Sequence, residues 1–379
     1  MIKDKKLYIL ILFFFIYIFF GLFIYKDFGI GIEEHFQRQN GFYWLDHFLS
    51  FLDHSALKET VNLKYKEILL TNPNLPNIVF YNYYGIIFDV PVAFIESMFN
   101  LKNSKSYFEI RHILIFFIFL ISSFFFYKIL LKRFNFPIAF LGLCIYSLTP
   151  RIFGDSFYNN KDILFLSLLT IAISFLFNFF DKENNKNLIL FCLFSALATS
   201  TRIMGIYLPI LLILFIYLEF LTNKKNLINL FGLFFKIIFF YILFLYLHYP
   251  YIWQLNIFEI SDWFSKFFLS MNLKLLFNGH YYNMNYLPRS YLPTWIFIST
   301  PFILLIFFIF GAFLFLKRFF YRLVNISNQK PHGSDLWVSN NEKKDMFILF
   351  SFFSFLLYAI FFNVAMLSGW RHFYFLHIF

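Results

Sequence analysis

Long apolar runs alternate with short polar segments along most of this chain, and several runs approach twenty residues. A run of about 20 apolar residues spans a bilayer as a helix, so the pattern predicts a polytopic membrane protein. Nine predicted helices cover about residues 7–25, 107–131, 136–148, 160–180, 188–199, 203–220, 227–247, 294–316 and 346–367. The third and fifth are short for a span, and a tenth span begins after residue 372 without being completed. We therefore predict an all-α transmembrane bundle of nine or ten spans, a single domain over residues 1–379 that is C-terminally incomplete.

The longest polar interruption is the predicted first external loop, residues 26–106. Its amphipathic pieces, Phe42–Leu57 and Val90–Leu101, predict helices that lie on the membrane surface. Lysines at residues 3, 5 and 6 and the pair Lys132–Arg133 mark cytoplasmic helix ends, because such ends are enriched in cations. The first apolar run is longer than the core of a signal peptide and no small-x-small site follows it, which predicts an uncleaved membrane helix.

The composition agrees with a membrane protein. The chain is 60% hydrophobic and 14% charged, whereas soluble domains are about a quarter charged. Its net charge of +11 is spread over helix ends and loops without a basic block. That distribution argues against nucleic-acid binding and is expected beside anionic lipid. Cys144 and Cys192 both lie in apolar runs, so no disulfide framework is predicted.

Five separated polar segments fall on one side of the membrane in this topology, namely residues 33–35, 150–155, 199–202, 249–293 and 370–372. Ionisable groups gathered at one membrane face suggest a single active site built from distant parts of the sequence. Arg151, Lys161 and Arg202 lie on the side that the positive-inside rule disfavours. Cations kept on that side are candidates for function.

The acidic candidates for catalysis are Glu33, Glu34 and Asp155. An acidic pair in a solvated loop needs no function, but a carboxylate at the water–lipid boundary also suits a general base that deprotonates a hydroxyl. Asp155 lies between two predicted spans, where it either caps the fourth helix or belongs to the site.

Four further charged residues are candidates for substrate binding. Lys161 is placed to reach a phosphate, and Asp162 beside it either joins the site or complements the helix dipole. Arg202 and Arg371 either snorkel to the interface or serve as counter-ions for an anionic headgroup, which the planar guanidinium fork binds well. His372 follows Arg371 and shares its two interpretations.

The segment from residue 249 to residue 293 is rich in Tyr, Trp, Asn and His. Part of it is an aromatic belt at the membrane interface. Aromatic faces with amide donors also suit a sugar ring, and Tyr249 and Tyr291 are the candidates for that contact.

The sequence predicts neither a metal site nor a cofactor. Asp46–His47 and Asp53–His54 repeat at a spacing of seven, which puts both pairs on one helix face, but nothing else completes a ligand set. A phosphate-binding glycine loop, a dinucleotide fingerprint and a GxSxG nucleophile motif are all missing from the sequence.

The order of four short motifs resembles a known group of enzymes. The stretches GIEEHFQRQNGFYWL, PRIFGDSFYNNKDILF, ATSTRIMG and GWRHFYF occur in that order along nearly the whole chain. They resemble the GT-C class of membrane glycosyltransferases, most closely the dolichyl-phosphate-mannose–protein mannosyltransferase family and bacterial relatives that modify lipid A with aminoarabinose.

The resemblance implies a polyprenyl-phosphate sugar donor, a protein or lipid acceptor, and a site facing the periplasm from a bacterial inner membrane. It makes Glu33, at the family's Asp position, the expected base and Asp155 the second acid. Because Glu replaces Asp, the choice between Glu33 and Glu34 stays open. The expected reaction transfers the sugar with inversion and needs no metal.

Three other functions are compatible with parts of the pattern. A transporter or lipid flippase places charges near mid-bilayer on broken helices of repeated halves, whereas these charges sit at one face and no repeat is visible. A ligase that moves whole glycans from a lipid diphosphate shares the need for Arg and His. A non-catalytic membrane scaffold is the third alternative.

Overall fold

The computed structural model describes residues 2–51, 55–78, 83–223, 227–259, 261–263, 273–326, 337, 339–362, 364, 366 and 369–379. The all-α prediction is confirmed. The helices in chain order are α1 (Ile2–Ile24), α2 (Glu34–Leu49), α3 (Ser55–Thr71), α4 (Asp89–Met98), α5 (Ser104–Arg133), α6 (Phe136–Leu148), α7 (Pro150–Asp155), α8 (Asp162–Asp181), α9 (Asn185–Thr201), α10 (Tyr207–Asn223), α11 (Leu227–His248), α12 (Tyr291–Ser299), α13 (Phe302–Ile326) and α14 (Asn340–Phe361). Short 3-10 segments include Ile203–Ile206 and Arg371–Ile378.

Within the described residues, seven helical segments are long and apolar enough to cross a membrane, and they include most of the predicted spans. They are Lys5–Asp27, Ser104–Arg133, Asp162–Asp181, Ile203–Leu221, Ile228–His248, Phe302–Tyr321 and Asn340–Phe361. The two spans that were short in the sequence correspond to α6, with 13 residues, and α9, with 17 residues.

Polar residues between the apolar runs set where several helices begin. Asn103, Asn135 and Asn184 each accept a hydrogen bond from a backbone N–H in the first turn of α5, α6 and α9. Ser339 does the same for α14. These side chains satisfy amides that have no partner inside the helix, so a helix starts directly after each of them.

Helix α8 forms the centre of the bundle. It packs against α5, α9, α14 and the 3-10 segment Arg371–Ile378, and nearly all of its side chains are buried. A helix of 20 residues is about 30 Å long. Asp162 at its start and Asp181 at its end therefore mark opposite ends of the bundle.

One end of the bundle is held by ion pairs near the start of α14, and we call it the lysine-rich end. Eight charged residues from α5, α8, α10, α13 and α14 meet in pairs there. The pairs are Lys132–Asp181 at 3.6 Å, Lys344–Asp181, Lys343–Glu219 at 2.7 Å, Arg133–Asp345 at 3.0 Å and Arg318–Asp345 at 3.4 Å. The predicted cytoplasmic cations Lys132 and Arg133 belong to this end.

The segment after α1 is a packed helical unit rather than a set of separate surface helices. Nε of Arg38 in α2 donates to both carboxylate oxygens of Glu96 in α4, at 3.1 Å to Oε1 and 3.0 Å to Oε2. Lys64 of α3 lies 3.5 Å from the same carboxylate, and the guanidinium of Arg38 stacks 3.8 Å from the Tyr107 ring centre. This buried cluster ties three helices of the unit to the start of α5.

The boundaries of the two predicted surface helices differ from the structure. The first runs over Glu34–Leu49 instead of Phe42–Leu57, because Glu33 and Glu34 provide a start earlier in the sequence. The second is Asp89–Met98 and ends near Asn100, whose positive φ of 44° is typical of a helix C-terminus. Helix α3 was not predicted.

The span predicted over residues 294–316 is present as part of α13, but it is not one continuous helix. The chain there forms α12 and α13, separated at Thr300 and Pro301. Thr300 has an extended backbone with φ −95° and ψ 132°, because the ring of a following proline disfavours the helical conformation.

A β-hairpin lies in the predicted loop between α11 and α12. Strands β1 (Lys274–Phe277) and β2 (His280–Asn283) pair antiparallel. Asn278 and Gly279 connect them with φ values of 49° and 79°. An Asn-Gly turn between apolar residues is a strong hairpin signal, so the sequence contained the information for this element.

Candidate active site

Asp162 is the meeting point of the polar groups at the start of α8. Its Oδ1 accepts a hydrogen bond from Nη2 of Arg202 at the end of α9. Its Oδ2 accepts from Nδ2 of Asn159 at 3.0 Å and lies 3.8 Å from Nε of Arg371. The Asp162 side chain is only 3% exposed, so two guanidinium groups offset the cost of burying this carboxylate.

Glu33 lies just before α2 and connects the external unit to this cluster. Nη2 of Arg371 donates to its Oε1. Burial raises the pKa of Glu33, but Lys161, Arg371 and Arg202 together outweigh that effect and hold the pKa below its usual value. Glu33 is therefore a carboxylate at neutral pH.

Asp155 ends α7 and joins the same network through one amide. Its Oδ1 accepts from the Tyr158 hydroxyl at 2.6 Å, and its Oδ2 accepts from Nδ2 of Asn159 at 3.2 Å. The amide of Asn159 thus bridges Asp155 and Asp162. Asp155 does not cap α8, because the residue preceding that helix is Lys161.

Glu34 has a different environment from Glu33. It is 1% exposed, and its Oε2 accepts from the Gly31 backbone N–H at 2.6 Å and lies 3.1 Å from Nε2 of His112. Glu34 therefore connects α5 to the turn that precedes α2. The Glu33 side chain, in contrast, is 37% exposed. The two adjacent carboxylates are thereby separated into a buried one and an accessible one.

A cleft, which we call the α2 cleft, opens beside Glu33, with about 450 Å³ of space when its open mouth is included. Lys161 lies at its edge with Nζ 3.6 Å from the centre of the Tyr84 ring. Carboxylates, amides, aromatic rings and one lysine line the cleft: Glu33, Phe36, Gln37, Asn40, Tyr84, Gly85, Ile87, Phe88, Asp89, Asn160, Lys161, Leu164 and Thr201.

The two arginines retain hydrogen-bonding capacity. Within the described part of the chain, Nε of Arg202 and Nε of Arg371 are buried without a hydrogen-bond partner. A guanidinium has five N–H donors and no acceptor, so both groups have donors left for a further anion.

The other three predicted site residues are His372, Tyr249 and Tyr291. His372 follows Arg371, and burial together with Arg202 and Arg371 holds its pKa well below the usual value. Tyr249 is fully buried, donates to the Tyr83 carbonyl and accepts from Nε1 of Trp263 at 3.2 Å. Tyr291 is buried, and the centre of its ring lies 5.0 Å from the centre of the Phe277 ring.

Neither tyrosine lines the α2 cleft. Among the described residues, no group of three His, Cys, Asp or Glu side chains is arranged to hold a metal ion. Asp53 and His54, which belonged to the repeated Asp-His pattern, lie outside the described residues.

Residues 90–246 match the dolichyl-phosphate-mannose-protein mannosyltransferase family. This match confirms the family resemblance seen in the motifs and supports a membrane glycosyltransferase of the GT-C type. No curated protein and no solved structure matched the chain.

The region matched to the mannosyltransferase family contains part of the network. Asp155, Lys161, Asp162 and Arg202 lie inside residues 90–246, whereas Glu33 lies outside them. The structure brings the matched and unmatched parts together through Arg371, which contacts both Glu33 and Asp162.

A buried carboxylate of the α2 cleft was missed in the sequence. Asp89 accepts from Nη2 of Arg111 at 2.7 Å and from Nδ2 of Asn40 at 3.1 Å. Burial raises the pKa of Asp89, and Arg111 acts against that increase. A fully buried arginine inside the apolar run of α5 was the available signal, because charges inside a span are expensive and usually paired.

We expect Gly85→Ala to reduce sugar transfer by about 10- to 100-fold. The Gly85 N–H donates to the Ser200 carbonyl at 3.0 Å. A Cβ at residue 85 would lie 2.2 Å from that oxygen and 2.6 Å from its carbon. The added methyl group must therefore push residue 85, which lines the cleft, away from the end of α9.

The rate of transfer at saturating donor measures this effect. Gly232→Ala is the matched control, because a Cβ at residue 232 has no atom within 4 Å. Equal rates for both variants would show that this close approach does not shape the site.

Proposed function

We propose that the protein is an inverting membrane glycosyltransferase that moves a sugar from a polyprenyl-phosphate donor to a protein or lipid acceptor. The observation that carries the proposal is the continuous contact of Glu33, Arg371, Asp162 and Arg202 at one end of α8. A carboxylate beside two arginines provides both a proton acceptor and a binding site for the leaving phosphate.

In the proposed reaction, the carboxylate of Glu33 accepts the proton of an acceptor hydroxyl or amine. The acceptor atom attacks the anomeric carbon from the face opposite the phosphate and forms the new glycosidic bond. The bond between the anomeric carbon and the phosphate oxygen breaks, and the polyprenyl phosphate leaves with its electron pair. Arg202 and Arg371 stabilise the negative charge on that phosphate, with Lys161 beside them.

Asp155 and Asp162 have supporting roles in this scheme. Both carboxylates accept hydrogen bonds from Asn159, and Asp162 also pairs with Arg202. Asp162 holds Arg202 and Arg371 beside Glu33, and Asp155 orients the shared Asn159 amide. Burial lowers the pKa of Arg371, but Glu33, Asp162 and, to a smaller extent, Asp155 outweigh burial and raise it.

The proposed site faces the extracytoplasmic side, the periplasm if the membrane is a bacterial inner membrane. Support comes from the lysine-rich end, which lies at the opposite end of α8 from Asp162. Cations accumulate on cytoplasmic loops, so the end with Lys132, Arg133 and Lys344 is the expected cytoplasmic end.

The proposal is tested with the full chain reconstituted into vesicles with an undecaprenyl-phosphate sugar and a lipid or peptide acceptor. We expect the labelled sugar to appear on the acceptor. Movement of labelled lipid between leaflets without sugar transfer would instead support the transporter or flippase. Transfer only from lipid diphosphate would support the ligase.

The pH dependence of transfer should depend on Arg371. A general base acts when it is deprotonated, so activity falls as the pH drops through its pKa. Cations lower the pKa of Glu33, and Arg371→Gln removes one of them. The acidic limb of the kcat/KM profile should therefore move to higher pH.

Arg133→Gln is the control for this prediction, since Arg133 pairs with Asp345 at the lysine-rich end, on the opposite end of α8 from Glu33. The measurement is kcat/KM of each variant against pH. An acidic limb that stays in place in Arg371→Gln would contradict the assignment of Glu33 as the titrating base.

A further inference from the structure

We propose that the α2 cleft binds the sugar ring of the donor, as a hydroxyl-rich and uncharged group. This inference rests on the proposed function. It places the sugar of the donor on one side of Glu33 and the phosphate on the other.

The first argument is the way polar groups are divided around Glu33. Glu33 lines the cleft on one side and pairs with Arg371 on the other. Neither Arg202 nor Arg371 lines the cleft; its polar groups are mainly amides and carboxylates, and Lys161 at its edge is the one cation among its lining residues. A phosphate is therefore favoured beside the arginines, and a neutral group with hydroxyls is favoured in the cleft.

The second argument is a set of amide atoms that lack partners. Within the described part of the chain, Oε1 of Gln37, Oδ1 of Asn40 and Nδ2 of Asn160 are buried without a hydrogen-bond partner. All three residues line the cleft. Buried polar groups are usually paired in folded proteins, and a hydroxyl-bearing ligand in the cleft would supply partners for these three atoms.

The helix geometry explains why these groups meet at the cleft. Glu33, Gln37 and Asn40 are spaced by four and three residues at the start of α2, and such residues lie on one helix face. Asn160 reaches the cleft from the chain before α8. Hydroxyls both donate and accept, which matches a mixture of amide oxygens and an amide nitrogen.

The rings of Phe36 and Tyr84 complete the site. They lie edge to face with their centres 6.0 Å apart, and both line the cleft. Aromatic side chains provide apolar contact for the C–H faces of a pyranose or furanose ring. With the ring in the cleft and the phosphate beside the arginines, the anomeric carbon that joins them lies next to Glu33.

The test compares two probes that differ only in the sugar. Binding of undecaprenyl phosphate and of undecaprenyl-phosphate mannose to the full chain in lipid nanodiscs is measured for the wild type, Gln37→Leu and Asn160→Leu. We expect each substitution to weaken binding of the mannose-bearing lipid by about tenfold, since it removes one hydrogen bond. Binding of the bare phosphate lipid should be unchanged.

Gln39→Leu is the matched control. Gln39 is in the same helix, is 1% exposed and also has a buried Oε1 without a partner among the described residues, but it does not line the cleft. Its substitution should leave the affinities for the two lipids in the wild-type ratio. An equal loss in all three variants would mean that removing any buried amide disturbs the protein, and it would overturn the assignment.

Two other outcomes would also overturn it. If Gln37→Leu and Asn160→Leu weaken both lipids equally, the cleft binds the phosphate or the prenyl chain. If they raise only the KM of the acceptor, the cleft holds the acceptor. In both cases the wild type still transfers sugar, whereas a wild type that binds neither lipid and transfers nothing would reject the proposed function as well.

Discussion

Glu33→Gln is expected to lower the rate of sugar transfer by about 10²- to 10⁴-fold, the usual contribution of a general base. The amide has nearly the same shape as the carboxylate but cannot accept the acceptor's proton. Glu33 is partly exposed beside the cleft, so its substitution should leave the thermal stability close to that of the wild type. Single-turnover transfer and the Tm in detergent are the two measurements.

Glu59→Gln is the control for the chemical change, because Glu59 lies exposed on α3 outside the cleft. It should retain the wild-type rate. A Glu33→Gln variant with wild-type turnover would exclude Glu33 as the base and remove the basis of the proposed mechanism.

The adjacent Glu34 should behave differently from Glu33. Its carboxylate accepts from the Gly31 N–H and faces His112, so Glu34→Gln should lower stability together with activity. Loss of activity in Glu34→Gln at unchanged stability, with Glu33→Gln active, would reverse the roles of the two residues.

Much of the bundle could be predicted because a bilayer imposes a simple rule on sequence. Apolar runs of sufficient length became α5, α8 and α11 within a few residues of the predicted limits. Cations on the disfavoured side, such as Arg202, were informative because charge near lipid is expensive and is retained when it has a partner. In the structure that partner is Asp162.

The choice between Glu33 and Glu34 could not be made from the sequence. Neighbouring residues at a helix start point in different directions, and the direction depends on the turn before the helix. Here the Gly31 N–H binds Glu34, and this contact leaves Glu33 facing Arg371. A sequence pattern locates such an acidic pair but contains no information about this turn.

The buried ion pairs of the external unit were missed for a related reason. Arg38 and Glu96 are 58 residues apart, and nothing local marks them as partners. Their pairing follows from the packing of α2 against α4, where Gly41 approaches the Asp89 backbone too closely for a side chain. The Asn-Gly hairpin and the break at Pro301 were missed as well, although both have local signals in the sequence.

Glu96→Gln is expected to destabilise the protein by about 3–5 kcal/mol, the usual cost of breaking a buried ion pair. Glu96 is 1% exposed and faces both Arg38 and Lys64. The amide leaves two buried cations near each other without a compensating charge. The free energy of unfolding in mixed micelles, titrated with denaturing detergent, measures the loss.

The matched control is the exposed pair of Lys105 and Glu109, separated by 3.8 Å with Lys105 71% exposed. Lys105→Gln should cost about 1 kcal/mol or less, since solvent screens exposed pairs. Adding Arg38→Met to Glu96→Met should recover part of the stability lost in Glu96→Met alone, because the double variant removes a buried charge together with its partner. If Glu96→Gln costs no more than Lys105→Gln, the carboxylate is not what holds α2, α3 and α4 together, and apolar packing alone must position the helix that begins at Glu34.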